Sequence, residues 1–216
     1  MYFNSQTSEQ VLSSENTIYR RMDNMNFRMK PAGLIAAMVI VFGAAVFFAD
    51  ESGAQGKTYK IGDRGPGGGW VFYDKGNSDD GWQYLEAAPE DQSTGAIWGC
   101  FKKKSIPGAH ETKIGSGKSN TKAIEKGCGE ANIAARICSA YRGGGKSDWH
   151  LPSKDELHLI YINLHRKGIG GFKGMYYWSS NEDDISFAIF HDFTTDHMDS
   201  LEKDYPLNVR AVRAFK

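Results

Sequence analysis

Three cysteines, six histidines, a serine pair and two acidic clusters are the groups in this 216-residue chain that could do chemistry. Covalent catalysis needs a serine or cysteine held by a base. Ser179-Ser180 follows Tyr176-Tyr177-Trp178 with no nucleophile elbow around it. Its hydroxyls are therefore expected to bond backbone beside a sheet-packed Trp178. Gly115-Ser116-Gly117-Lys118-Ser119 resembles the end of a phosphate loop, but the position that motif reserves for its first glycine holds Thr112. It reads instead as a turn into a helix capped by Asn120. The histidines lack zinc spacing: His110-Glu111 has no second histidine one helical turn on, and His158 and His165 have no third ligand in series. His191 and His197 read as surface residues flanking a turn. Glu182-Asp183-Asp184, with Asp192, Asp196 and Asp199, could offer oxygens to Ca2+, which takes about six to eight. A solvated acidic loop is the simpler reading. No catalytic residue, metal ligand or cofactor is expected, with Ca2+ the one ion left open.

Recognition chemistry is better represented. The chain holds five Trp, ten Tyr and twelve Phe, most of which must be core. Tyr176, at the start of a strand, and Tyr205, in the Asp204-Tyr205-Pro206 turn, are the best candidates for exposed rings. An exposed ring stacks on the apolar face of a sugar whose hydroxyls need polar partners. Asn181 and Lys203 are the polar and cationic candidates beside them. Lys102-Lys103-Lys104 reads as a solvated loop, and Arg210 and Arg213 as structural ion-pair partners. Lys+Arg and Asp+Glu each total 26, so net charge gives no support for nucleic acid or an anionic membrane as a bulk partner.

Residues 1–54 read as an N-terminal extension and signal peptide ahead of a domain over 55–216. Leu34 to Phe48 is apolar, follows Arg28 and Lys30, and precedes the small residues Ser52-Gly53-Ala54. Gln55 is the expected first mature residue. The apolar run falls short of the ~20 residues of a spanning helix, so membrane contact would come only through an uncleaved signal anchor. The polar lead before it suggests translation from Met22, Met25 or Met29. Export, to the periplasm, cell surface or medium, brings an oxidising compartment. Ala134, Ile137, Cys138 and Tyr141 share one helix face, which predicts a free, buried Cys138. Cys100 and Cys128 sit beside glycines and are the expected disulfide, although spacing by itself leaves the connectivity open.

The elements that must position these groups follow from the pattern. Tyr59–Gly62 reads as a short strand, and residues 69–88 as a hairpin. Residues 89–118 read as a long irregular excursion. A helix is expected from Thr121 to about Tyr141, interrupted near Gly127–Gly129. Ser153-Lys154-Asp155-Glu156 is a capping box opening a second helix with Leu157, Ile160, Tyr161 and Leu164 on one face. Tyr176–Ser180, Ile185–Phe193, Met198–Lys203 and Asn208–Phe215 read as strands, completing an α+β domain.

Five pieces in this order carry a resemblance: Gly62-Asp63-x-Gly65-Pro66-Gly67-Gly68-Gly69-x-Val71-Phe72-Tyr73, Ile114-Gly115-x-Gly117-x-x-Asn120-Thr121, Asp148-Trp149-x-Leu151-Pro152-Ser153-x-Asp155-Glu156-Leu157, Tyr177-Trp178-Ser179-Ser180 and Val209-Arg210-Ala211-Val212-Arg213. Together they resemble the C-terminal domain family of a bacterial collagen-like adhesin (the Lcl C-terminal domain family), over roughly residues 59–216. That family lies within the C-type-lectin-like and formylglycine-generating-enzyme-like superfamily. The resemblance implies a C-type-lectin-like fold with two helices packed on an antiparallel meander and its terminal strands close together. It also implies a non-enzymatic partner chemistry of glycan or polysaccharide, including sulfated chains; the loops of residues 172–206, supported by the strands around them, are the expected contact surface. The formylglycine chemistry is not implied, because no cysteine follows Cys138. A protein-binding module on the same fold, or a hydrolase, remains as an alternative.

Overall fold

Trp70-Val71-Phe72-Tyr73, β-branched and aromatic, forms strand β1 (Trp70–Asp74), which pairs antiparallel with β2 (Tyr84–Ala87). The computed structural model describes residues 56–216; the signal peptide and its cleavage site, expected over 1–54, lie outside the described residues. Among the described residues, no helix is long and apolar enough to cross a membrane. Beyond the hairpin run β3 (Ser93–Ala96), α1 (Gly117–Gly127), α2 (Ala134–Ala140), α3 (Lys154–Asn163), β4 (Tyr176–Glu182), β5 (Phe187–Asp192), β6 (His197–Glu202), β7 (Leu207–Val209) and β8 (Val212–Phe215).

The described residues are α+β, with strands in two sheets of order β1-β2-β8 and β3-β7-β4-β5-β6. The last strand thus lies against the second strand of the N-terminal hairpin. In the larger sheet β4 and β7 are parallel and the other pairs antiparallel. The C-terminal run expected as one strand is two, because Arg210-Ala211 carries the chain from one sheet to the other. Arg210 is buried there: it donates to Asp91 Oδ1 at 2.6 Å and to the Ala88 and Gly170 carbonyls at 2.9 Å each. Arg213 pairs with Glu86 and Asp148, each at 2.7 Å. Both arginines are structural, as their alternation with valines suggested.

The glycine-rich turn before β1 has a physical reason. The Gly67 and Gly69 amides each donate to the buried Glu86 carboxylate at 2.8 Å. A Cβ on Gly69 would lie 2.4 Å from the Ala87 carbonyl oxygen, so only glycine allows this approach. Tyr59–Gly62, expected as a strand, contains no strand. Tyr59 is held by ring packing instead, at 5.3 Å from Tyr84 and 5.0 Å from Phe215.

The capping box of α3 is present: Ser153 Oγ accepts from the Glu156 amide, and the Glu156 side chain accepts from the Ser153 amide. The first helix begins earlier than expected. Its N-cap is Ser116, while Asn120 lies buried inside it, donating to the Glu111 carbonyl at 2.7 Å and Ser180 Oγ at 3.2 Å. The break at Gly127–Gly129 separates α1 from α2 and holds the Cys100–Cys128 disulfide; Cys138, on the buried face of α2, is free. Trp98, Trp149 and Trp178 are fully buried. Trp178 Nε1 donates to the Ala96 carbonyl and Trp98 Nε1 to the Ser179 carbonyl, each at 2.9 Å.

Candidate functional site

Gly174-Met175-Tyr176, all exposed, leads into β4. The chain is fixed where it turns: the Phe193 amide donates to the Met175 carbonyl at 3.1 Å, and Tyr176 pairs with Asp192 of β5. The Tyr176 ring leans on Phe190, with centroids 4.8 Å apart and a tilt of 33°. One face of the ring is thereby immobilised while the side chain stays 44% exposed. Met175 and Tyr205 are exposed by 53% and 50%. Between these segments lies an open cavity of about 180 Å3, lined by Thr94, Gly174, Met175, Tyr176, Pro206, Leu207 and Asn208. Its walls are mainly an aromatic face and aliphatic carbons beside the exposed Thr94, and exposed Lys173 adjoins it in sequence.

Two of the four candidate binding residues are therefore at the surface and two are not. Lys203 and Asn181 have no exposure. Lys203 Nζ pairs with Glu182 Oε1 at 2.5 Å and lies over the Trp98 ring at 4.7 Å. Asn181 Oδ1 accepts from the Lys154 amide at 2.8 Å, and its Nδ2 donates to the Glu111 carbonyl at 2.9 Å. Both side chains brace the core and cannot reach a surface ligand as placed. Glu182 is likewise no member of a solvated loop: it is buried, with Ser105 Oγ and the Ile106 amide each donating to Oε2 at 2.7 Å. Thr94 and Lys173, both exposed, were not among the sequence candidates. Thr94 stands on β3, a strand whose Ser-Thr-Gly-Ala sequence gives no strand signal.

Asp192 and Asp196 are drawn into separate contacts. Asp192 accepts from the Thr194 amide at 2.8 Å and Thr195 Oγ1 at 2.6 Å. Asp196 faces His191. Among the described residues, no group of carboxylates converges closely enough to suggest a Ca2+ cage. His191, expected at the surface, is buried against α3 because its strand turns that side chain inward.

A second, polar cavity of about 360 Å3 is lined by residues that include Trp82, Lys118, Asp148, His150 and Glu156. Burial pushes the Glu156 carboxyl up to about 7 and the His150 imidazole down to about 4. Their nearest atoms are 3.9 Å apart. Such inverted values are a pattern of acid–base sites, but the bonding here is structural. The Glu156 oxygens accept from the Gly115 amide at 2.8 Å and the Ser153 amide at 2.9 Å, with the Gly117 amide also donating. One carboxylate thereby joins the N-termini of α1 and α3. No serine, threonine or cysteine lines this cavity.

No family model matches the chain, and no curated protein matches it.

Proposed function

We propose that this chain is an exported, non-enzymatic recognition protein with a C-type-lectin-like domain, and that the face around Tyr176 and Tyr205 binds polysaccharide. The observation that carries this reading is the half-exposed Tyr176 ring, stacked on Phe190 at the rim of an open cavity that also offers exposed Thr94. A rigid aromatic plate gives contact area at little conformational cost, and the adjoining Thr94 hydroxyl suits a sugar hydroxyl. Exposed Lys173 supplies the cation a sulfate or carboxylate on the chain would need, in place of buried Lys203. The ordered resemblance to the Lcl C-terminal domain family, the disulfide and the α+β element order support the same reading. Exposed Met175 favours a second reading, a protein partner on the same face. A glycan array probed with the full-length chain tests the first. Binding to a coherent set of glycans, lost in Tyr176→Ala, supports it; silence across neutral and sulfated glycans removes it.

A further inference from the structure

Two imidazoles and one carboxylate converge at the end of the β5–β6 hairpin, outside the cavity just described. His158 comes from α3, His191 from β5 and Asp196 from the turn that follows β5. His191 Nε2 lies 3.0 Å from Asp196 Oδ1, and His158 Nδ1 lies 3.5 Å from the same oxygen. All three potential ligand atoms lie within 4.8 Å of one another. We propose that His158, His191 and Asp196 form a binding site for a divalent transition-metal ion of the Zn2+ class.

The spacing fits that chemistry. Ligand atoms at about 2.0–2.1 Å from a tetrahedral ion stand roughly 3.3 Å from one another, close to the two separations seen here. The donor set of two imidazole nitrogens and one carboxylate oxygen suits Zn2+ and its first-row neighbours, whereas Ca2+ and Mg2+ take oxygen. The alternative is an ordinary hydrogen bond from His191 to Asp196. That bond accounts for one imidazole only: His158 Nδ1 is buried, 3.5 Å from the same oxygen and without a hydrogen-bond partner. An ion between the three groups satisfies both nitrogens at once.

The surroundings have the character of a metal shell. The His191 side chain is fully buried and packs against Tyr161 at 4.9 Å and Phe193 at 5.0 Å, which fixes the ring. His191 Nδ1 is also buried without a hydrogen-bond partner. Entry is open, because His158 and Asp196 side chains remain 45% and 37% exposed. A fourth ligand position therefore faces solvent.

The test is titration of the chelator-stripped full-length protein with Co2+, read by its visible absorption, followed by displacement with Zn2+ and with Ca2+. Saturable binding in the micromolar range or tighter, displaced by Zn2+ and untouched by Ca2+, is the expected result. His158→Gln and Asp196→Asn alter partly exposed side chains, so their metal-free melting stays near that of the parent. Each should weaken Zn2+ binding by at least about tenfold, since even outer-shell losses cost about 10–100-fold. His197→Gln, at an exposed histidine nearby, should leave affinity unchanged. Absence of saturable Co2+ and Zn2+ binding, or unchanged affinity in both His158→Gln and Asp196→Asn, overturns the assignment.

Discussion

Lys203 shows how far a residue's neighbourhood can depart from its sequence setting. It sits between acidic residues near a turn, yet its ammonium and the Glu182 carboxylate are both fully buried against each other. A buried pair loses much of its Coulomb gain to desolvation, but removing one partner strands the other. Lys203→Ala should therefore destabilise the fold by about 3–5 kcal/mol in denaturant melts, and a change below about 1 kcal/mol would show the pair to be solvated. Glu156 gives a second test, through pH. Its folded pKa is raised from 4.5 to about 7 by burial, so the folded state holds the proton more tightly. That contribution is full below 4.5 and is lost as pH rises through 7. His150, lowered from 6.5 to about 4, acts oppositely: its contribution is present above 6.5 and lost as pH falls through 4. The two offset each other over much of the range between. Glu156→Gln removes only the first, so its stability deficit should be larger at pH 4.5 than at pH 7.5, by up to about 3 kcal/mol. A deficit that shrinks on acidification would mean that the three backbone amides hold Glu156 ionised.

At the scale of elements, the disulfide closes the irregular excursion onto the end of α1, its cysteines standing 28 positions apart. The chain-entropy view gives it about 3–4 kcal/mol, so the Cys100→Ser, Cys128→Ser double variant should lose a comparable amount in reversible unfolding. A loss under 1 kcal/mol would place the loop's order in its other contacts. Features with a local cause were legible in the sequence. The capping box, the buried face of α2 with Cys138, the β1–β2 hairpin and the exposure of Tyr176 each follow from a few adjacent residues. Features with a distant cause were not. β3 exists because β7 pairs with it. The C-terminal run splits because Arg210 finds Asp91, Ala88 and Gly170. Asn120 sits inside α1 because the helix can start at Gly117, where a Cβ would lie only 2.8 Å from the Leu151 carbonyl. His158, His191 and Asp196 meet across a helix and a hairpin, so no linear zinc spacing announces them.

At the scale of the molecule, the ion pairs, disulfide and buried tryptophans provide the frame, while Met175 and Tyr176 at the start of β4 and Tyr205 between β6 and β7 are left exposed. The balanced charge of 26 basic and 26 acidic side chains leaves binding to local contacts rather than to a long-range field. The most direct measurement is the affinity of the full-length chain for the best array glycan, by calorimetry, in the parent and in Tyr176→Ala and Tyr205→Ala. The account predicts at least about a tenfold loss, ~1.4 kcal/mol, for each variant, with melting temperatures unchanged. Parental affinity in both variants, at parental stability, would contradict it.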